Sequence, residues 1–147
     1  MSYENIKILD GSSFAIHQMN YEFDISILDN DFSAEMYLRF FCGYVWDGEI
    51  SGFWLVDSVD SIPWKDGAEL EKYEDTISNI TPIKVVSVDD KAIKIDATVL
   101  YSGVLFHIEF EVDKNGVPQM LNDTPISSTE IARQIVLDNR RGRYRII

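Results

Sequence analysis

The chain has 147 residues, 46% of them apolar and 12% aromatic, with a formal net charge of −12, which suffices for one globular domain spanning 1–147 with a sizeable core. Its longest nearly unbroken apolar run, 40-FFCGYVW-46, falls far below the roughly 20 residues of a membrane helix, and 1-MSYEN-5 lacks the layout of a secretion signal, so a cytoplasmic protein is expected. Residues 1–113 carry 22 acids against 7 Lys and Arg, and residues 114–147 carry 3 against 6; such an acidic body repels nucleic acid and anionic membrane, whose phosphates require cations, and attracts basic partners.

In chain order, 21-YEFDISIL-28 alternates Tyr21, Phe23, Ile25 and Ile27 with Glu22, Asp24 and Ser26, the period-2 pattern of a half-buried strand. The same test favours a strand for 32-FSAEMYLRF-40, with a helix as its competitor. Cys42 cannot form an intrachain disulfide, because it is the single cysteine, and reads as a small buried hydrophobe. Asp47-Gly48 suits a two-residue type I′ turn that pairs Val45 with Ile50 and Phe41 with Trp54.

Residues 68–77 predict a helix capped by Asp66, with Leu70, Tyr73 and Ile77 on its inner stripe and Glu69, Glu71, Glu74 and Asp75 forming an acidic ridge. Then 83-IKVVSV-88 predicts a strand that turns at Asp89-Asp90. A Ser102-Gly103 turn would pair Tyr101 with Val104, Val99 with Phe106, Ala97 with Ile108, Ile95 with Phe110 and Ile93 with Val112, all on one apolar face. The other face would pair Lys94 with Glu111, Asp96 with Glu109, Thr98 with His107 and Leu100 with Leu105. A turn at 113-DKNG-116 closes the far end of this hairpin. Near the C-terminus, 127-SSTE-130 has the form of a capping box, with Ile131 and Ile135 inward and Arg140 and Arg141 at the helix end. The final 143-RYRII-147 alternates as a terminal strand. The expected class is α+β, a curved antiparallel sheet of about six or more strands with one or two helices packed on it.

No catalytic constellation emerges. The two histidines, His17 and His107, lie in no nucleophile motif, and His107 shares its strand face with Glu109 and Glu111. Asp29-Asn30-Asp31 opens like a calcium loop but has Ala34 where glycine belongs and Phe40 where a bidentate glutamate belongs. Asp113-Lys114-Asn115-Gly116 fails in the same way. Neither metal nor cofactor is expected, and the chain reads as a non-enzyme. One pair stands apart: Asp96 faces Glu109 directly, an arrangement that destabilises a sheet unless a cation answers it, and Lys94 is the diagonal candidate.

The richest stretch is 53-FWLVDSVDSIPWKDGAELEKYED-75, with seven acids (Asp57, Asp60, Asp66, Glu69, Glu71, Glu74, Asp75) and two lysines. Trp46, Trp54 and Trp64 bracket it, and Asp47 and Glu49 extend its acidity. Trp54 reads as core, whereas Trp46 and Trp64 read as aromatic anchors of an interface. In this character, a small acidic chain without a catalytic set and with an acidic, aromatic surface at 46-WDGE-49 and 57–75, the protein resembles the immunity proteins that neutralise bacterial toxins, nucleases in particular. The resemblance implies a basic cognate partner, such as a toxin domain, whose cleft is occluded by carboxylates. Two rivals remain: an α+β cup for a small ligand or an enzymatic reaction, with Asp96, His107 and Glu109 as its site, and a structural subunit or homo-oligomer joined through edge strands or the basic 140-RRGRYRII-147 tail.

Overall fold

The computed structural model describes residues 12–23, 31–47, 51–127, 129–138 and 143–147. In chain order the elements are helices α1 (Ser13–Phe23) and α2 (Asp31–Tyr44); strands β1 (Trp46–Asp47), β2 (Ser51–Gly52) and β3 (Trp54–Leu55); 3-10 turns Val59–Ser61 and Leu70–Tyr73, the second running into the short helix α3 (Glu74–Ser78); and strands β4 (Lys84–Val88), β5 (Ala92–Tyr101), β6 (Val104–Asp113), β7 (Pro118–Pro125), β8 (Ile135–Asp138) and β9 (Arg143–Ile146).

The β5–β6 hairpin is the spine, and its register matches the alternation in the sequence from Ala92↔Asp113 to Tyr101↔Val104. Ser102 and Gly103 both have positive φ, at 49° and 81°, as a type I′ turn requires. A side chain at Gly103 would also meet the Ala132 carbonyl oxygen at 3.2 Å, so glycine is needed for space as well as for backbone freedom. At the other end Asp113 Oδ1 accepts from the N–H groups of Asn115 and Val117, which closes the expected turn. β3 and β4 flank β5 and β7 flanks β6, giving an antiparallel α+β sheet of five strands among the described residues rather than six or more. Irregularities at Val85/Ser87 and at Glu109/Phe110 bend its outer strands.

One face of this sheet closes on α2. Ala34, Leu38 and Cys42, spaced i, i+4, i+8, bury against Ile83, Ile93, Ile95, Ala97, Val99, Ile108, Phe110 and Val112. The Cys42 thiol is pushed up to about 12 by burial, so it is an inert core group, as expected. The opposite face divides. Beside the turn, Leu100 and Leu105 bury in a second core with Val56, Ile62, Ile131, Ala132 and Ile135; farther along, the face is polar and open.

The N-terminal third corrects the sequence reading. Tyr21 and Phe23 end α1 instead of beginning a strand, and the rest of 21–28 lies outside the described residues. The 32–40 stretch lies in the helix α2, because the apolar i, i+4 spacing of Ala34, Leu38 and Cys42 coexists with the alternation, and its fourteen residues exceed a typical strand. A Glu35–Arg39 ion pair at i, i+4 supports it. The anticipated Asp47-Gly48 register is also corrected: Trp46 pairs with Gly52 and Asp47 with Ser51, Phe41 is helical, and Trp54 pairs with Leu100. Ile50 lies outside the described residues.

The helix expected from 127 onward does not form. Ser127 is buried, and its hydroxyl accepts from Leu105 N–H at 3.0 Å instead of capping a helix. Gly103 C=O takes the Ile131 N–H at 2.8 Å, Ile131 C=O takes the Lys65 N–H at 3.3 Å, and Pro63 C=O takes the Arg133 N–H at 2.7 Å. These long-range partners hold the segment extended. Ile131 and Ile135 still face the core, as anticipated, at 1% and 8% exposure. Arg140 and Arg141 lie outside the described residues. The terminal 143–146 stretch is a strand as expected, paired with β8.

Candidate functional surface

The acidic stretch lies across the second core. Its 3-10 turn at Val59–Ser61 is pinned by two indole N–H groups: Trp54 donates to Ser61 C=O at 3.0 Å and Trp64 to Val59 C=O at 3.2 Å. Trp64 forms an isolated bridge with Ala132 and leans on the Tyr73 ring at 5.3 Å, and both aromatics pack against the second core. Trp64 is thus half-buried, with its indole N–H and ring engaged within the chain. Gly67, with φ of 74°, follows, and the chain enters the Leu70–Tyr73 turn and α3. The single helix expected over 68–77 is therefore two shorter elements. Its first cap is Glu69 without a side-chain hydrogen bond, not Asp66.

What this framework displays is acid. Asp60, Asp66, Glu69, Glu71, Glu74 and Asp75 are all exposed. The two lysines among them are engaged by carboxylates, Lys72 with Glu69 at 2.7 Å and Lys65 with Glu130 at 3.3 Å. Asp66 reaches Arg133 at 3.8 Å but keeps 94% of its side chain exposed. Leu70, expected on the inner stripe, is instead 44% exposed between Glu69 and Glu71.

Asp57 belongs to a different structure. Its carboxylate takes two hydrogen bonds from the Arg39 guanidinium, at 2.7 and 3.1 Å, and one from Ile83 N–H at 3.2 Å. The Arg39 hydrogen bonds hold its carboxyl below the usual carboxylate range, with the backbone N–H of Ile83 adding to the effect. Asp57 therefore ties α2 to the chain entering β4, while its side chain stays 38% exposed. Trp46 and Asp47 sit on β1, but their side chains and the whole of Glu49 lie outside the described residues.

The rival constellation does come together. Asp96 faces Glu109 in a pair that makes no hydrogen bonds between its own backbones, the closer kind of cross-strand pair. Lys94 Nζ stands 4.0 Å from Glu109 and His107 Nε2 stands 3.7 Å from Asp96, so the diagonal lysine answers the paired charges as anticipated. Lys84, opposite Asp96 across β4, adds a second cation to the row. These groups are spread on the open sheet face. A cleft of about 170 Å³ opens elsewhere, between α2 and β3, lined by Arg39, Cys42, Gly43, Phe53, Trp54 and Leu55. Among the described residues no three His, Cys, Asp or Glu side chains converge as metal ligands, and no helix is long and apolar enough to cross a membrane.

No family model matches this chain, and no curated protein or solved structure matches it.

Proposed function

We propose that the protein is a non-catalytic binding protein of the cytoplasm that captures a basic protein on the 60–75 ledge, in the manner of an immunity protein that blocks a cognate toxin such as a nuclease. The observation that carries this reading is the set of six exposed carboxylates from Asp60 to Asp75, whose two interspersed lysines are both engaged by carboxylates. A ledge of this kind guides a cationic partner by long-range attraction, and the exposed Leu70 supplies an apolar contact within the charged field. The carboxylates then stand where substrate phosphates would stand in a basic cleft. The second core beneath the ledge holds it in shape, so its charges are arranged before the partner arrives.

The test is capture of a basic partner by the immobilised chain at low salt, followed by association and dissociation kinetics with the captured protein. Neutralising Asp60, Glu69, Glu71 and Glu74 together to Asn and Gln should slow association roughly tenfold or more and flatten its salt dependence, because screening at physiological salt already limits attraction to about 8 Å. Leu70→Ser should mainly speed dissociation. Failure to capture a basic protein, or kinetics indifferent to the four neutralisations, would remove the reading.

A further inference from the structure

Gly43 stands where the backbone needs no glycine. It is the next-to-last residue of α2, and among the described glycines positive φ belongs to Gly67, Gly103 and Gly116, so the freedom that glycine gives a turn is not used there. A side chain would also favour the helix, in which glycine is a poor former. Its bare position lines the cleft of about 170 Å³ between α2 and β3, where Arg39, Cys42 and Gly43, spaced i, i+3, i+4, form the helix side and Phe53, Trp54 and Leu55 the strand side. The floor is the rim of the first core: Cys42 is buried in that core, and Phe53 and Leu55 pack against it. Phe53 is held by stacking on Tyr101, with ring centroids 5.4 Å apart, and the Trp54 indole N–H is engaged by Ser61 C=O. The one charged wall is Arg39. Glu35 and Asp57 engage four of its five N–H groups along the edges of the guanidinium, at 2.7 to 3.2 Å, which leaves the methylene stem and the flat of the guanidinium as its packing surfaces.

We propose that this cleft binds a small neutral molecule with a single aromatic ring. Volume sets the size: an apolar cavity of about 150 Å³ accommodates benzene, so a cleft of about 170 Å³ takes one six-membered ring with a short substituent. A flat ring suits walls made by Phe53, Leu55 and Arg39, since aromatic faces stack on one another and on guanidinium planes. Charge selects neutrality. Arg39 is the lining charge, so a cationic ligand is repelled at contact. It is already answered by both Glu35 and Asp57, one cation against two carboxylates, so an anionic ligand finds no free cation and adds a third negative charge. The Cys42 thiol, pushed up to about 12 by burial, stays protonated and adds no charge. The ledge recognises a basic surface by charge, whereas this cleft recognises a ring and its neutrality, so the two readings are independent.

Three probes that share a ring and differ in charge test this: benzyl alcohol, benzoate and benzylammonium, each titrated against the isotope-labelled full chain and read by backbone amide shifts. Benzyl alcohol should give saturable shifts concentrated at residues 39–43 and 53–55, with a Kd in the roughly millimolar range of a ligand of about eight heavy atoms. The two charged probes should bind at least about tenfold more weakly. Gly43→Leu, which fills the cleft from the helix side, should also bind benzyl alcohol at least about tenfold more weakly, with circular dichroism showing the variant folded. Gly43→Ala, the smaller filling, should weaken binding by less in the same direction. The variant with Asp60, Glu69, Glu71 and Glu74 neutralised should bind benzyl alcohol as the parent does, which separates failure here from failure of the ledge. Shifts scattered over the whole chain, equal affinity for the three probes, or a folded Gly43→Leu variant that binds as tightly as the parent would overturn the proposal.

Discussion

Along the outer face of the β5–β6 hairpin, Leu100 and Leu105 beside the turn are sealed at 3% and 0% exposure, while Asp96, His107 and Glu109 farther along the same face keep about a third of their side chains exposed, at 31%, 38% and 31%. The strands, the register and the alternation are the same at both ends. The difference lies in what crosses over them. Residues 56–64, 126–127 and 129–135, which are largely irregular, lie over the turn end, and Thr98, 1% exposed and bonded to Thr81 N–H and C=O, marks the boundary. A strand face is therefore a capacity for burial, realised only where another segment can satisfy its own backbone groups while lying on it.

The comparison breaks most visibly on the side covered by α2. Val99, 0% exposed in the first core, should not tolerate Val99→Asp; an unpaired charge there costs several kcal/mol and should abolish the cooperative melt. A near-parental melting curve would mean that the two faces are exchanged. Next in size is Ile131→Ala, which probes whether the irregular cover of the second core is as firmly seated as a helix. At 1% exposure it should cost about 2–5 kcal/mol in urea denaturation, whereas a loss below about 1 kcal/mol would make the 126–135 cover a loose flap.

A smaller effect concerns the Asp57 clasp between α2 and the sheet. Its carboxyl lies below its ordinary 3.8 because of Arg39, and a depressed folded-state value stabilises the fold at pH values above 3.8, with that contribution lost as pH falls through the folded-state value. Asp57→Asn should therefore lower stability at pH 7 and flatten the acid limb of the stability curve. A variant as acid-sensitive as the parent would assign that limb to other carboxylates. The smallest effect belongs to the open end of the hairpin face, where Glu109→Gln relieves Asp96 of a like charge but releases Lys94. A change of under about 0.5 kcal/mol is expected in urea denaturation; a loss of several would show that this row is a sealed network.

How much of this could be read from the chain depends on where each segment finds its partners. The 92–113 hairpin was legible to the residue, because its turn chemistry and alternation are local and agree. At 32–40 two periods coexisted, and only docking of Ala34, Leu38 and Cys42 on the sheet decides for the helix. The acids of the ledge were legible as a run, but Asp57 was not separable from them, since Arg39 is eighteen residues away. The contacts of Trp64 were hidden for the same reason: its loop position concealed Val59 C=O, Tyr73 and the second core.

The alternation, the Ser102-Gly103 and 113–116 turns and the excess of acid over base in residues 1–113 were determined by the sequence itself, since each arises from neighbours within a few residues or from composition alone. Tertiary structure decided the rest. Ser127 became the acceptor for Leu105 instead of a helix cap, and residues 129–135 became an extended cover instead of a helix, because Gly103, Pro63 and Lys65 offered backbone partners from far along the chain. It also decided that α1 shows its aromatics and hides Asn20, whose partners at Tyr37 and Asn115 lie 17 and 95 residues away; a hydrogen bond of that span leaves no trace in local periodicity.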